Sequence, residues 1–290
     1  MDLNRGGNPF PPDANKLPLG VTRCGSRELH WGKRTYIMGI VNLTPDSFSG
    51  DGLDKDVDSA VALTRRLEAE GADVVDVGGE STRPRAVALS VEAELERVIP
   101  AIRRLVAKVG VPVSVDTYKG EVARQAVAAG AAMVNDVWGK DPEVARVAAE
   151  AGVPLVLTHN QEPRAYRDVV AEVAAGLKGS MERALAAGVS WENIIIDPGI
   201  GFGKAREHNL ELLGRLEELA SLGRPILLGT SRKFALGLPR GAPVAQRIWA
   251  SAATVAIGIA KGCHMVRVHD VKEMALVCRM SDAVVRRVRP

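Results

Sequence analysis

Eight times between residues 36 and 269, a short aliphatic and β-branched run ends on a polar side chain and gives way to a stretch rich in Ala, Leu and Glu. The runs are "YIMGIVN" (36–42), "DVVDVG" (73–78), "VPVSVD" (111–116), "AMVND" (132–136), "VPLVLTH" (153–159), "NIIID" (193–197), "PILLGTS" (225–231) and "MVRVH" (265–269). Each is nearly all apolar rather than alternating, the pattern of parallel strands covered on both faces. The stretches between them, such as "DSAVALTRRLEAE", "VEAELERVIPAIRRLVAKV" and "NLELLGRLEELASL", have helical periodicity with a polar face. Eight alternations without a linker-like break predict an α/β fold, a single (β/α)8 TIM barrel over residues 20–290, rather than an open doubly wound sheet. Turn signals in residues 20–35 predict a small N-terminal hairpin closing the barrel bottom. Residues 1–19 read as a mobile tail.

Aromatic residues make up only 4% of the chain, so the core has to be aliphatic. The formal charge of +3, from 38 basic and 35 acidic residues, is too small to argue for nucleic acid or an anionic membrane as partner. Cys24, Cys263 and Cys278 are an odd, widely spaced set without metal-ligand spacing, which suits reduced thiols in cytoplasm. No apolar core region marks the N-terminus as a secretory signal. The run "IWASAATVAIGIA" (248–260) is shorter than the roughly 18 residues a membrane span needs, and reads as a buried helix.

In such a barrel the strand ends converge on one catalytic face, so their polar residues form a coherent set: Asn42, Asp76, Asp116, Asn135, His159, Asp197, Ser231 with Lys233, and Arg267 with His269. Any one strand-end aspartate could be only a helix cap; the whole set is harder to explain that way. The stretch "IIIDPGIGFGK" (194–204) is the most pointed member. It fits neither a phosphate-cradling P-loop, which needs glycine five places before its Gly-Lys pair, nor a dinucleotide fingerprint, since Gly199, Gly201 and Gly203 alternate. Carboxylates and amides complement a heterocycle with both donors and acceptors. Lys233, Arg267 and His269 follow the last two strands, where barrels hold phosphate, and "HDVKEM" would open a helix whose amides favour an anion. The site therefore divides between a polar flat ring and an anionic group.

The ordered motifs "MGIVNLTPDSFSGDG", "DVGGESTRP", "SVDT", "VNDV", "IIIDPGIGFGK", "GTSRK" and "VRVHD", spanning residues 36–273, resemble those of the dihydropteroate synthase family. The resemblance implies condensation of 6-hydroxymethyl-7,8-dihydropterin diphosphate with 4-aminobenzoate, with Asp116, Lys233 and Arg267 as the catalytic groups. It implies a pterin held by Asp116, Asn135, Asp197, Gly201, Phe202, Lys233 and Arg267. Asn42, Thr82, Arg83, Arg267 and His269 would face the diphosphate, and Asn42 would meet Mg2+. Phe48, Thr82, Arg83, Pro84, Ser231 and Lys233 would receive the aminobenzoate, with Asp46 beside them. The implied mechanism is dissociative and needs no side-chain nucleophile, and the family is a homodimer.

Two positions depart from the family pattern. Thr158 stands where relatives often carry a methionine against the pterin, and Phe234 follows Lys233 where many have a hydroxyl or basic residue. Three other readings stay open at this stage: a pterin-binding module of corrinoid methyl transfer, a non-catalytic pterin binder, and a phosphate-binding barrel for another ring.

Overall fold

The computed structural model describes residues 9–11, 14, 17–44, 56–80, 88–139, 141–161, 165–233 and 243–288. Two short antiparallel strands, β1 (Val21–Cys24) and β2 (Arg27–His30), form the expected hairpin. The barrel strands follow as β3 (Tyr36–Asn42), β4 (Val74–Gly78), β5 (Val113–Asp116), β6 (Met133–Asp136), β7 (Leu155–Thr158), β8 (Ile194–Asp197), β9 (Leu227–Leu228) and β10 (Met265–Val268). All their pairings are parallel, in the order β8-β7-β6-β5-β4-β3-β10-β9. A bridge between Ile196 and Ile226, with the Ile196 amide donating to the Pro225 carbonyl at 2.9 Å, closes the ring.

The covering helices are α1 (Val57–Glu70), α2 (Val91–Val106), α3 (Gly120–Ala128), α4 (Pro142–Ala151), α5 (Val169–Ala186), α6 (Arg206–Gly214), α7 (Val244–Ala260) and α8 (Val271–Val285). Several starts are written locally: Asp56, Ser90, Asp141 and Asp168 accept first-turn amides of α1, α2, α4 and α5.

Two apolar layers decide where the site can be. Val75, Val77, Val115, Leu155, Leu157, Ile194 and Ile196 face outward and pack beneath the helices. Their alternates, Met38, Val74, Met133, Val156, Ile195, Leu227 and Met265, fill the lower barrel together with Cys24, Leu29 and Trp31 of the hairpin. The bottom is thus plugged. Two residues further along each strand the pleat again points inward, and there Asp76, Asn135, Thr158, Asp197 and Arg267 are polar, with Ile40 and Gly229 between them.

The periodicity of "NLELLGRLEELASL" predicts one continuous helix, but the helix ends at Gly214 and a 3-10 turn, Leu216–Leu222, takes over. Arg215 at the junction has non-helical φ and ψ and pairs with Glu211 and Glu218, both at 2.7 Å. Leu216 and Leu219 are three residues apart, the spacing that a 3-10 turn aligns on one face, and both are buried. Helix α7 also differs from the expected buried helix: Val255 and Ile259 are buried, whereas Trp249 is 75% exposed and Ile257 45%.

Candidate active site

Asn42, Gly78, Asp116 and Asn135 stand in register across β3, β4, β5 and β6. Gly78 leaves a gap in this row; a Cβ there would lie 3.6 Å from the Asp116 Cβ and 3.9 Å from the Asn42 Oδ1. One level lower, fully buried Asp76 accepts from Asn135 Nδ2 at 2.9 Å and from Arg267 Nε at 2.7 Å through a single oxygen. Arg267 also donates through Nη2 to Asp116 Oδ2 at 2.7 Å. One guanidinium therefore joins two carboxylates brought from positions 191 and 151 residues away.

The arrangement leaves acceptors over. Asp76 Oδ1, Asp116 Oδ1 and Asn135 Oδ1 are buried without a hydrogen-bond partner among the described residues. Natural proteins rarely bury polar atoms unpaired, because each costs about 1–3 kcal/mol. Burial lifts the Asp116 pKa to about 7 against the pull of Arg267, with Asp76 adding to the rise. For Arg267, burial opposes its charge, but Asp76 and Asp116 outweigh that and hold its pKa above the ordinary value.

The strand-to-helix loop after β8 forms the opposite wall. Asp197 Oδ1 accepts the Gly199 amide at 2.7 Å, which leaves Oδ2 toward Gly229. The glycines are required by contact: a Cβ on Gly199 would sit 2.0 Å from the His159 carbonyl, and one on Gly203 2.1 Å from that of Gln161, both at positive φ. Gly201 turns toward Lys233, whose Nζ donates to the Ile200 carbonyl at 2.5 Å and lies 4.5 Å from the Phe202 ring centroid. Burial lowers the Lys233 pKa to about 8 against the attraction of Asp197, and burial raises that of Asp197 against Lys233.

Ser231 Oγ lies 3.0 Å from His269 Nδ1 and accepts the His269 amide at 3.1 Å, so the groups expected on the aminobenzoate and diphosphate sides are neighbours. Between Ser231 and Lys233, Arg232 holds a positive φ of 57° and grips Asp270 with Nε at 2.9 Å and Nη2 at 2.5 Å. That grip occupies Asp270, the residue preceding α8, which makes no side-chain cap.

Asp116, Asn135, Asp197, Phe202, Ser231, Lys233, Arg267 and His269 line one cleft with Ile40, Val137 and Gly229. Asn42 stands in the Asp116 row by register but is not part of this lining. Asp46, Phe48, Thr82, Arg83, Pro84 and Phe234 lie outside the described residues.

His159 departs from the expected convergence. Its ring turns outward onto α5, where a Cβ on Gly176 would meet Cδ2 at 2.7 Å, because the inward position on β7 belongs to Thr158. There it meets a group that strand-end reasoning passed over. Lys204 is 4% exposed, and its Nζ lies 3.1 Å from His159 Nδ1 and donates to the carbonyls of His159, Gly199 and Phe202 at 3.1, 3.1 and 3.0 Å. Burial lowers its pKa to about 7, and burial with Lys204 nearby lowers that of His159 to about 4. Two lysines thus hold the 199–202 backbone, Lys233 from the cleft and Lys204 from behind. The signal was a lysine closing a glycine-rich loop with no acid beside it in sequence. A second network anchors Glu80 through Lys119, through Tyr118 Oη at 2.8 Å and through the Leu89 amide at 3.3 Å.

A family model described as "Pterin binding enzyme" matches residues 38–269. The chain is 49% identical over 268 residues to a dihydropteroate synthase of Clostridium beijerinckii, covering 91% of this chain and 100% of that protein. Among solved structures it is similar to the Xanthomonas albilineans dihydropteroate synthase with 4-aminobenzoic acid, with a TM-score of 0.85, 45% identity, and 91% and 97% of the two chains covered. The same enzyme in complex with 7,8-dihydropteroate gives a TM-score of 0.82 and 44% identity over 91% and 98%.

Proposed function

The chain belongs to the dihydropteroate synthase family of pterin-binding enzymes, and on that premise we propose that it condenses 6-hydroxymethyl-7,8-dihydropterin diphosphate with 4-aminobenzoate, giving 7,8-dihydropteroate and diphosphate. The observation that carries this reading is the pair of buried, unpartnered oxygens on Asp116 and Asn135, which line one cleft with Asp197 opposite and Asp76 beneath them. A pterin offers ring and amino N–H groups for these acceptors, and a ring carbonyl for Lys233. Phe202 and Ile40 supply apolar walls, and Arg267, whose guanidinium plane can stack on an aromatic face, reaches both ring and diphosphate.

The chemistry follows from the placement. The C–O bond to diphosphate breaks with its electron pair, and a cation delocalised over the pterin forms at the exocyclic methylene. The amine of 4-aminobenzoate attacks that carbon, and as the C–N bond forms its proton passes to the released diphosphate or to solvent. Asp116 stabilises the positive charge across a short, water-poor distance. Arg267 and His269 receive the departing anion, with the uncapped first-turn amides of α8 nearby. Ser231 and Lys233 face the aminobenzoate carboxylate.

Mg2+ belongs to the same proposal. Asn42 would offer one amide oxygen, and diphosphate oxygens with water the other ligands, a donor set that suits an ion arriving with substrate. Among the described residues, no group of three His, Cys, Asp or Glu side chains is gathered for a metal. When bound, the ion supplies charge neutralisation on the leaving group. A homodimer is supported by Trp249 and Ile257 of α7 and Leu276, Met280 and Val284 of α8, all exposed on two neighbouring helices. No helix among the described residues is long and apolar enough to cross a membrane. A cytoplasmic location, with small molecules rather than nucleic acid or membrane as partners, completes the reading.

The test is turnover by purified protein with pterin diphosphate, 4-aminobenzoate and Mg2+, following dihydropteroate and diphosphate, with chelated metal as control. Stoichiometric, metal-dependent formation of both products is expected. Pterin binding without product would overturn the catalytic reading, and product formation in chelator would overturn the role of Mg2+.

A further inference from the structure

Thr158 is 5% exposed, and its Oγ1 has no hydrogen-bond partner among the described residues. The side chain points into the barrel: Val156, two residues earlier on β7, belongs to the inner plug, while Leu155 and Leu157 face the helices. Its row is defined by register. Asp136 pairs with Leu157 and Thr158 with Asp197, so Thr158 stands between Val137 and Asp197, and both of these line the cleft. β7 also lies between the strands carrying Asn135 and Asp197.

The neighbours say what the hydroxyl faces. Asn135 commits Nδ2 to Asp76 and keeps Oδ1 open, and Asp197 commits Oδ1 to the Gly199 amide, leaving Oδ2 toward the cleft. Asp197 beside Thr158 and Asn135 one inward level lower on the other neighbouring strand both present acceptors. A ring edge that satisfies two acceptors set apart on alternate strands presents N–H groups to either side, as an exocyclic amino group next to a ring N–H does. The atom between those acceptors then meets the amino nitrogen. The Thr158 hydroxyl adds one further unpartnered oxygen, on the strand between Asn135 Oδ1 and Asp197 Oδ2, for such an edge.

We propose that Thr158 is a specificity-determining residue of this cleft, its Oγ1 accepting a hydrogen bond from the exocyclic 2-amino group of a 2-amino-4-oxopteridine held between Asn135 and Asp197. The inference rests on the reading that the cleft takes the pterin. It adds a polar contact at a position where a thioether side chain could give only packing.

The experiment is calorimetric binding of 6-hydroxymethylpterin, and of the same ring with hydrogen in place of the 2-amino group, to wild type, Thr158→Val and Thr158→Ser. Thr158→Val is expected to weaken the amino ring by about 3- to 10-fold, the size of one net hydrogen bond, and to leave the ring without the amino group unchanged. Thr158→Ser restores binding. The melting temperature of Thr158→Val holds or rises, because the variant removes a buried hydroxyl unpartnered in the free protein. Equal binding of the amino ring by wild type and Thr158→Val overturns the proposal, as does an equal loss for both rings. Failure of wild type to bind either ring would overturn instead the pterin reading beneath it.

Discussion

Arg267 reaches Asp116 through one Nη2–Oδ2 contact of 2.7 Å and leaves the other carboxylate oxygen, Oδ1, buried and unpaired. A carboxylate held in this way is half satisfied: the guanidinium favours its charge, burial opposes it more strongly, and the pKa rises to about 7.

Proton release on binding follows. A ring N–H offered to Asp116 favours the ionised form, so pterin binding near pH 7 should expel a fraction of a proton. Calorimetry in buffers of different ionisation enthalpy measures it, and Asp116→Asn should abolish the buffer dependence. The sign for stability is also set. The folded pKa lies above the ordinary 3.8, so Asp116 contributes stability below about pH 4 that is lost as pH rises through 7.

Asp197→Ala removes an acceptor that serves both the Gly199 amide and the cleft. Charge-assisted hydrogen bonds contribute about 1.5–3 kcal/mol each, so pterin affinity should fall by about 100-fold or more. Asp197→Asn, which can still accept the Gly199 amide, should lose less. Titration of both variants with 6-hydroxymethylpterin separates loop order from ligand pairing; near-wild-type binding by Asp197→Ala would remove the ring from this wall.

Lys233→Ala deletes the cation beside Asp197 and above Phe202. Both substrates should weaken, by about 10-fold or more for a lost charged contact. A change confined to the KM for one substrate would assign Lys233 to that side alone.

Lys204 carries a pH signature. Its folded pKa of about 7 lies below the ordinary 10.5, so the folded state binds fewer protons than the unfolded one between those values. Stability from this group therefore rises as pH climbs from 7 toward 10. Against Lys204→Met, wild type should gain on the order of 2 kcal/mol between pH 7 and 9 by urea denaturation. A pH-independent difference would mean that the ammonium is not desolvated.

Met280→Glu with Val284→Glu places charge on the exposed apolar face of α8, where both side chains are more than 60% exposed. Sedimentation should show a dimer for wild type and a monomer for the double variant. An unchanged dimer would locate the interface elsewhere.

The barrel was legible in the chain because its signal is local: an apolar run, a polar stop and an amphipathic helix occupy consecutive residues, and all eight predicted strands hold. The ends were less legible. β9 retains only Leu227–Leu228 of a seven-residue prediction, since ladder length depends on what its neighbours offer. The strand-end rule also gathered most of the cleft, because parallel strands in a closed ring deliver their ends to one face. It could not separate inward from outward positions, which are adjacent in sequence and opposite in space: Thr158 enters the barrel and His159 leaves it.

What the sequence by itself determined was the alternation of elements, the plugged bottom and the list of polar groups at the top. The tertiary structure decided who meets whom. That Arg267 bridges Asp76 and Asp116, that Lys204 crosses behind Asp197 to hold three carbonyls, and that oxygens on Asp116 and Asn135 are left for a ligand depend on side chains from strands far apart in the chain. No local pattern encodes those distances; barrel closure and the register of each strand set them.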